Sequence, residues 1–417
     1  SDDWRELMRL YLVRRTRSFV KKVYAQADEA TGRRYLLFSD GRKSYFPDRI
    51  PKKVEFKLNL EDRKDQYAIL YSDEVVDIID NLQLPRYGLG NYVNDKSSIK
   101  PSIDESEIIK NLSRAGQRLK GFCRTNLYKR LESSGYAFLL SVCRQVLRNF
   151  IFIYAIENNL PLPIGKQYMD FFDDFLEDNE DNESGEKQLP KEYLADEGKY
   201  LEYAEKYYSI YYNELSKQFR WIRSGLFKSN LKKALVTDCE NLLLIFDKIE
   251  YWDSEEDRKL NALYDLLMNK HPKEKILIFT QFANTAEYLN ERLKKRNVKD
   301  LDVVTGNTDN VTDIVQHFSP DSNDKSDYKG NSELRILITT DVLSEGQNLQ
   351  DAHIVVNYDL PWAIIRLIQR AGRVDRIGQK SQQILCYSFL PEDGIEKIIN
   401  LRSRLKTRIK ENSEVIG

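Results

Sequence analysis

NYDLPWAIIRLIQRAGRVDRIGQ, residues 357–379, is the most informative stretch of the chain. It opens on a strand end, turns through Asp359-Leu360-Pro361, and continues as a helix-like run in which Arg370, Arg373 and Arg376 recur every three residues. Side chains three apart lie on one face of a helix, so the three guanidinium groups are expected to project together from a single edge. A solvated helix normally intersperses charges of both signs. Here Asp375 is the only acid among the arginines, and Gly372 and Gly378 interrupt the run. Such an array suits phosphate, because guanidinium is permanently charged and forks onto phosphate oxygens. A surface salt-bridge net or a generic basic patch has the same spacing, and spacing alone does not separate these readings.

Around this stretch five apolar, β-branched runs alternate with helical patterns: residues 275–280 (KILIFT), 301–305 (LDVVT), 335–340 (RILITT), 353–358 (HIVVNY) and 383–389 (QILCYSF). Continuous apolar runs separated by helices predict an α/β fold with a parallel sheet covered on both faces. Sheets of this kind bind ligands at the carboxyl ends of their strands, where the polar residues of this segment fall. Thr280 and Gln281 follow the first run and are placed to cap the next helix and leave amides free for an anion. Most strand-to-helix turns carry such a cap, so the signal is weak alone. Thr305-Gly306-Asn307-Thr308 follows the second run, with hydroxyls for a phosphate and a glycine for close approach; a plain turn explains it equally. Thr339 and Thr340 end the third run, and Asp341 is placed to orient the loop that carries Gly346 and Asn348.

The 417 residues imply two or three domains, and 41% hydrophobic with 31% charged residues is a globular composition rich in helix. A net charge of -1 does not exclude a nucleic-acid partner, which needs a local basic stripe and not a basic sum. Cys123, Cys143, Cys239 and Cys386 show no metal or CxxC spacing and are read as reduced and mostly buried. No apolar run approaches the roughly 20 residues of a membrane helix, and SDDWREL is unlike a signal peptide. A soluble, cytoplasmic protein without a membrane partner is expected. No phosphate loop GxxxxGK[ST] occurs: Gly165-Lys166 is followed by Gln and Gly198-Lys199 by Tyr. Apolar residues before Asp73-Glu74 mimic a magnesium-binding strand, but Ile69, Leu70, Val76, Ile79 and Leu82 follow a helical period. No metal site is expected.

Towards the start, Asp40-Gly41 between the apolar runs 35–38 and 44–46 predicts a β-hairpin. Residues 105–160 read as helices, whose Arg118, Lys120, Arg124, Lys129 and Arg130 are placed either to track a phosphate backbone or to serve ordinary core helices. Residues 170–186 carry nine acids and no Lys or Arg, a solvated or disordered loop. In the helical pattern that follows, Tyr203, Tyr207, Tyr208, Tyr211 and Tyr212 are read as helical core in preference to a base-stacking platform.

Taken together, NYDLPW with QRAGRVDRIGQ resembles the last signature motif of the superfamily-two helicases, and more narrowly of the bacterial RapA-like branch of the Swi/Snf-type translocases. ITTDVLSEGQNLQ resembles motif V and KILIFTQF motif IV of the same superfamily, LVRRTR resembles the element that leaves the first motor lobe, and KRLESSGYAF resembles a bacterial inter-lobe helix. The resemblance implies a RecA-like second lobe at 255–417, a linker from an absent first lobe at 1–105 and a mainly helical insertion at 106–254. It implies that Arg373 and Arg376 are arginine fingers acting on ATP with magnesium held mainly by the first lobe, which is expected upstream of Ser1. Gly346, Asn348, Gln369 and Arg370 would lie beside the nucleotide. Thr280, Gln281, Thr305, Gly306, Thr339 and Thr340 would line a nucleic-acid track, with double-stranded DNA the expected partner. SEGQN departs from the glycine-richer loop of Swi/Snf remodellers, which weakens the assignment of individual contacts. Gln369 in place of the His of many RNA helicases, together with NYDLPW and RIGQ, favours a translocase over an RNA helicase; a restriction-type motor subunit is a further alternative. From another class, the chain is a non-catalytic module whose insertion docks a protein partner. The chain alone is expected to be inactive.

Overall fold

The computed structural model describes residues 17–390 except 40, 57, 60–61, 63, 95–98, 166–196, 250, 329–332, 345–346 and 362–363. The expected acidic loop 170–186, Gly346, and Arg14 and Arg15 of the LVRRTR element therefore lie outside the described residues, as does the side chain of Arg118.

The five apolar runs form strands β7 (Ile276–Phe279), β8 (Leu301–Val304), β9 (Ile336–Thr339), β10 (Ile354–Asn357) and β11 (Gln383–Phe389). They pair in parallel in the order β11-β10-β7-β9-β8. Every residue of β7, β9 and β10 is buried, as a sheet covered on both faces requires. Alternation divides them: Ile276, Ile278, Ile336, Ile338, Ile354 and Val356 face one core, while Leu277, Phe279, Leu337 and Val355 face a second, smaller one. A sixth strand, β4 (Asp48–Val54), pairs in parallel with β11 along its whole length. The sheet thus draws on residues well before 255.

Ahead of β4, strands β1 (Gln26–Ala27), β2 (Arg34–Leu37) and β3 (Lys43–Tyr45) form a small antiparallel sheet. Its β2–β3 hairpin turns at Gly41, whose φ of 84° is the left-handed geometry that Asp-Gly supplies cheaply. Helix α3 (Asp73–Asn81) is capped by Ser72, so Asp73 and Glu74 sit in a first helical turn, where acids are favoured, and not at a strand end.

The helical region is built on α4 (Ile103–Ser133) and α5 (Gly135–Glu157). Ser134 is at once the last cap of α4 and the first of α5. The following Gly135 packs so closely that a Cβ there would lie 2.2 Å from the Trp252 ring. Contrary to the expectation from composition, α5 is long and apolar enough to cross a membrane; 78% of its apolar window is buried inside the protein, as a core helix is. It packs against α6 (Glu197–Asn213) and α7 (Asn230–Lys248). Tyr200, Tyr207, Tyr208 and Tyr211 of α6 are buried in that packing, in keeping with core tyrosines, while Tyr212 is about half exposed. Arg124, Lys129 and Arg130 of α4 are engaged within the protein. Lys129 and Arg130 are buried, Arg130 stacks on the Phe282 ring at 4.7 Å, and Arg124 donates to the Leu82 carbonyl at 2.6 Å. One apolar core runs from Tyr67 through α4–α7 to the inner face of the sheet, so the helical region and the sheet are continuous.

Glu105 ties this region together. It closes a capping box with Ser102 at the start of α4 and accepts from Arg223 at the end of β6 (Phe219–Arg223), at 2.6 Å and 2.9 Å. The Arg223 guanidinium holds the Glu105 carboxyl down at about 2, below its ordinary 4.5. A depressed carboxyl contributes stability above its unfolded pKa and loses it as pH falls through the folded one. Wild type is therefore expected to lose stability between about pH 4.5 and pH 2 through this group. Glu105→Gln should be less stable at pH 7 and show a shallower loss over that window in urea unfolding; parallel pH curves for the two proteins would contradict this.

Candidate functional site at the strand ends

The carboxyl ends of β10, β7, β9 and β8 bring together Asp359, Thr280, Thr339, Thr340 and Thr305. The ladder continues into them: the Thr280 amide donates to the Thr339 carbonyl at 3.0 Å, and the Thr340 amide to the Val304 carbonyl at 3.2 Å. These residues are neighbours, as the alternation of strands and helices implied.

Their chemistry differs from the expectation. The anion received at the end of β7 is the protein's own. The fully buried Asp359 carboxylate accepts from the Thr280 hydroxyl, from the Gln281 amide at 2.8 Å and from the Ser133 hydroxyl at 2.6 Å. Ser133 has one proton and gives it to Asp359, so Thr285, 2.9 Å away, donates to Ser133. The Gln281 side-chain amide donates to the Leu360 carbonyl at 3.0 Å. Thr280 and Thr339 are wholly buried and Thr340 nearly so, so Thr280 and Thr339 present no hydroxyl to a track. The Thr305–Thr308 segment closes on itself: the Thr305 amide donates to Thr308 Oγ1 at 2.9 Å and the Thr308 amide to the Thr305 carbonyl at 3.1 Å. Gly306 is exposed, and a Cβ there would meet nothing within 4 Å, so no contact inside the protein requires glycine.

Beside Asp359 lies a buried charged group that sequence reasoning missed. Lys259, in the first turn of α8 (Arg258–Asp265), donates from Nζ to the carbonyls of Glu132 and Ser133 at 2.6 Å and 2.9 Å. It also sits 4.4 Å from the centre of the Tyr358 ring. Burial pushes the Glu132 carboxyl up and the Lys259 ammonium down. The only sequence signal was ESSG, residues 132–135, at the junction of α4 and α5.

The arginine run is helix α11 (Ile364–Val374), and its three arginines do not share an edge. Arg370 points inward and is fully buried. It forks onto Asp341 (Nε to Oδ1 2.7 Å, Nη2 to Oδ2 2.9 Å) and uses Nη1 on Asn357 Oδ1 and the Asp359 carbonyl, at 3.3 Å and 3.1 Å. Asp341 also holds Arg366, at 3.3 Å. Arg370 therefore has no face to offer a nucleotide in this arrangement. Arg373 and Gln369 are half-buried on the helix, and Arg376 follows the helix end. Arg376 lines a cleft of about 590 Å³ together with Asn348, Ile368, Gly372 and the hairpin residues Ser44 and Phe46. Asn348 donates to the Ser322 carbonyl at 2.6 Å, which fixes the loop wall of that cleft. Asp341 and Asp375 are both engaged by arginine, so neither opposes a polyphosphate with an uncompensated charge. Among the described residues no group of three or more His, Cys, Asp or Glu gathers to hold a metal ion.

A family model described as the helicase conserved C-terminal domain matches residues 258–378. The chain is similar to the ATP-dependent helicase YqhH of Bacillus subtilis, with 28% identity over 40% of this chain and 27% of that protein. It is also similar to the ATP-dependent RNA helicase DBP8 of Kluyveromyces lactis, with 31% identity over 38% of this chain and 34% of that one. Among solved structures, the C-terminal part of the Fun30 ATPase domain matches over 85% of this chain and 89% of that chain, at 16% identity and a TM-score of 0.39. The matched region spans about a third or less of the length of these curated relatives.

Breaking a buried ion pair from one side strands the other charge, at roughly 3–5 kcal/mol. Asp341→Ala is therefore expected to lower the unfolding free energy of the chain by about that amount, because Arg370 keeps only Asn357 and a carbonyl. Replacing both members with apolar residues, Asp341→Leu with Arg370→Met, should cost less than Asp341→Ala alone. Urea denaturation checks the order, and an Asp341→Ala protein as stable as wild type would show that the pair does not anchor α11.

Proposed function

We propose, from the match of residues 258–378 to the helicase conserved C-terminal domain, that the chain is the second motor lobe, with its helical region, of a Swi/Snf-related translocase that hydrolyses ATP to move along double-stranded DNA. The observation that carries this reading is the fate of the arginines. Arg370 is consumed in anchoring α11, so that Arg373, half-buried, and Arg376, within a cleft, stand at a rigidly held helix end. Guanidinium groups held in this way suit the charge that develops on a transferring phosphoryl group. Among the described residues the side chains here supply cations and amides and gather no metal cluster, and the sequence holds no phosphate loop. ATP and its magnesium would therefore be held mainly by a first lobe, and Arg373 and Arg376 would reach across to the phosphates, with Asn348, Gly346 and Gln369 beside the nucleotide. Thr305, Gly306 and the backbone around Gln281 and Thr340 are the proposed track contacts.

A second reading, an RNA track, is favoured by the relatives: DBP8, similar over 38% of the chain, and six further similar proteins are by name RNA helicases. Comparing stimulation of hydrolysis by duplex DNA and by RNA in the full-length protein separates the two.

In the full-length protein Arg373→Ala is expected to lower nucleic-acid-stimulated ATP hydrolysis by about 10³- to 10⁵-fold, with nucleic-acid binding retained. Hydrolysis at the wild-type rate would remove the finger assignment. Turnover by the 417-residue chain alone would remove the claim that a first lobe supplies the phosphate site.

A further inference from the structure

Arg376 stands on a turn and not on the helix. Helix α11 stops at Val374, and Gly378 follows with φ of 98°. Such a turn does not hold a long side chain in place by itself, and two sets of contacts pin it. From the near side, Gln379 Nε2 donates to the carbonyls of Val374, Gln350 and Ala352 at 2.8, 2.9 and 3.0 Å, and the Gln379 amide closes onto the Arg376 carbonyl at 3.1 Å. From the far side, Arg49 Nε meets the Asp375 carboxylate at 2.6 Å, and the Gly378 amide donates to Ser44 Oγ at 3.0 Å. Asp375 and Gly378 flank Arg376 on either side. Ser44 belongs to β3 and Arg49 to β4, more than 300 residues earlier in the chain.

The charge pattern gives the Arg49 contact its force. The Asp375 side chain is 2% exposed and follows the carboxyl end of α11, where the helix dipole disfavours an anion. A cation there offsets that cost, and Arg49 supplies one. Its own strand is fixed by pairing with β11, Arg49 opposite Ile384. Residues 44–47 and Arg49 then continue as one wall of the cleft that Arg376 lines.

We propose that Ser44 and Arg49, which lie outside the helicase domain, are positioning residues that set the Arg376 turn. This rests on the reading of Arg376 as a phosphate-directed arginine. Misplacement of a reacting or stabilising group by about 1 Å costs about a hundredfold in rate, so loosening the turn acts on the chemical step and leaves nucleic-acid binding alone.

The test has two arms. In the chain itself, hydrogen–deuterium exchange of the segment 375–379 is expected to quicken about tenfold in Ser44→Ala and in Arg49→Ala, with exchange of β7 and β10 unchanged. In the full-length protein, Arg49→Ala should lower kcat for ATP about tenfold or more without raising KM for nucleic acid. Arg49→Lys should recover part of the loss, and the exchanged pair Arg49→Asp with Asp375→Arg most of it. Wild-type exchange and wild-type kcat in Ser44→Ala and Arg49→Ala, beside an inactive Arg376→Ala, overturn the positioning role alone. A kcat loss that tracks a lowered melting temperature also overturns it, as mere unfolding. If Arg376→Ala keeps full hydrolysis, the reading of Arg376 is what fails, and the exchange arm still decides whether Ser44 and Arg49 hold the turn.

Discussion

The Asp359 carboxylate, fully buried where β10 ends, is the constraint on which the arrangement of this molecule turns. A carboxylate taken out of water is expensive unless each lone pair is met. Three donors meet this one, from two elements: Thr280 at the end of β7 with the Gln281 amide that follows, and Ser133 at the end of α4. Two are local to the sheet. The third comes from the helical region, and with Lys259 on the carbonyls of Glu132 and Ser133 it makes the α4–α5 junction part of the strand-end structure. Without that junction Asp359 would lose a donor and Lys259 both carbonyl acceptors. The helical region therefore completes the site's floor and is not an ornament on the lobe.

The same residue links this floor to the arginine helix. Its carbonyl accepts from Arg370, whose remaining donors go to Asp341 and Asn357. Polar contact is thus continuous from Ser133 through Asp359 and Arg370 to Asp341. Networks of this kind are stiff when complete, and the orientation of α11 is set by them as much as by the apolar contacts of Ala371 and Val374, both buried.

Strand and helix placement was legible in residues 275–389 because runs such as KILIFT and RILITT are apolar at every position, which only a doubly covered strand tolerates here. The hairpin was legible through Asp40-Gly41, and the helical nature of residues 73–81 through its period. What sequence did not disclose was partnership across long separations. That β4 would lie beside β11, that Ser133 would meet Asp359, and that Arg49 would meet Asp375 depends on tertiary pairing more than two hundred residues apart, with no local trace. The membrane criterion failed at α5 for a related reason: a run of apolar residues reports burial, and a core supplies it as well as a bilayer does.

The arginine spacing misled in an instructive way. Positions three apart on a helix share a face only loosely, since each step falls about 60° short of a full turn at 3.6 residues per turn. Only the step from Arg370 to Arg373 lies on the helix, which ends at Val374, and it turns the direction by about 60°. Arg370 falls on the buried stripe beside Phe279, at 5.3 Å from its ring, while Arg373 is half-buried and Arg376 leaves the helix altogether. The repeat of one residue type therefore encodes two functions in sequence order. The first arginine fixes the helix, and the later two inherit a fixed position from it. Since the helix ends between Arg373 and Arg376, only Arg373 receives that position directly; Arg376 needs a second support, and the contacts of Ser44 and Arg49 are where the structure provides it.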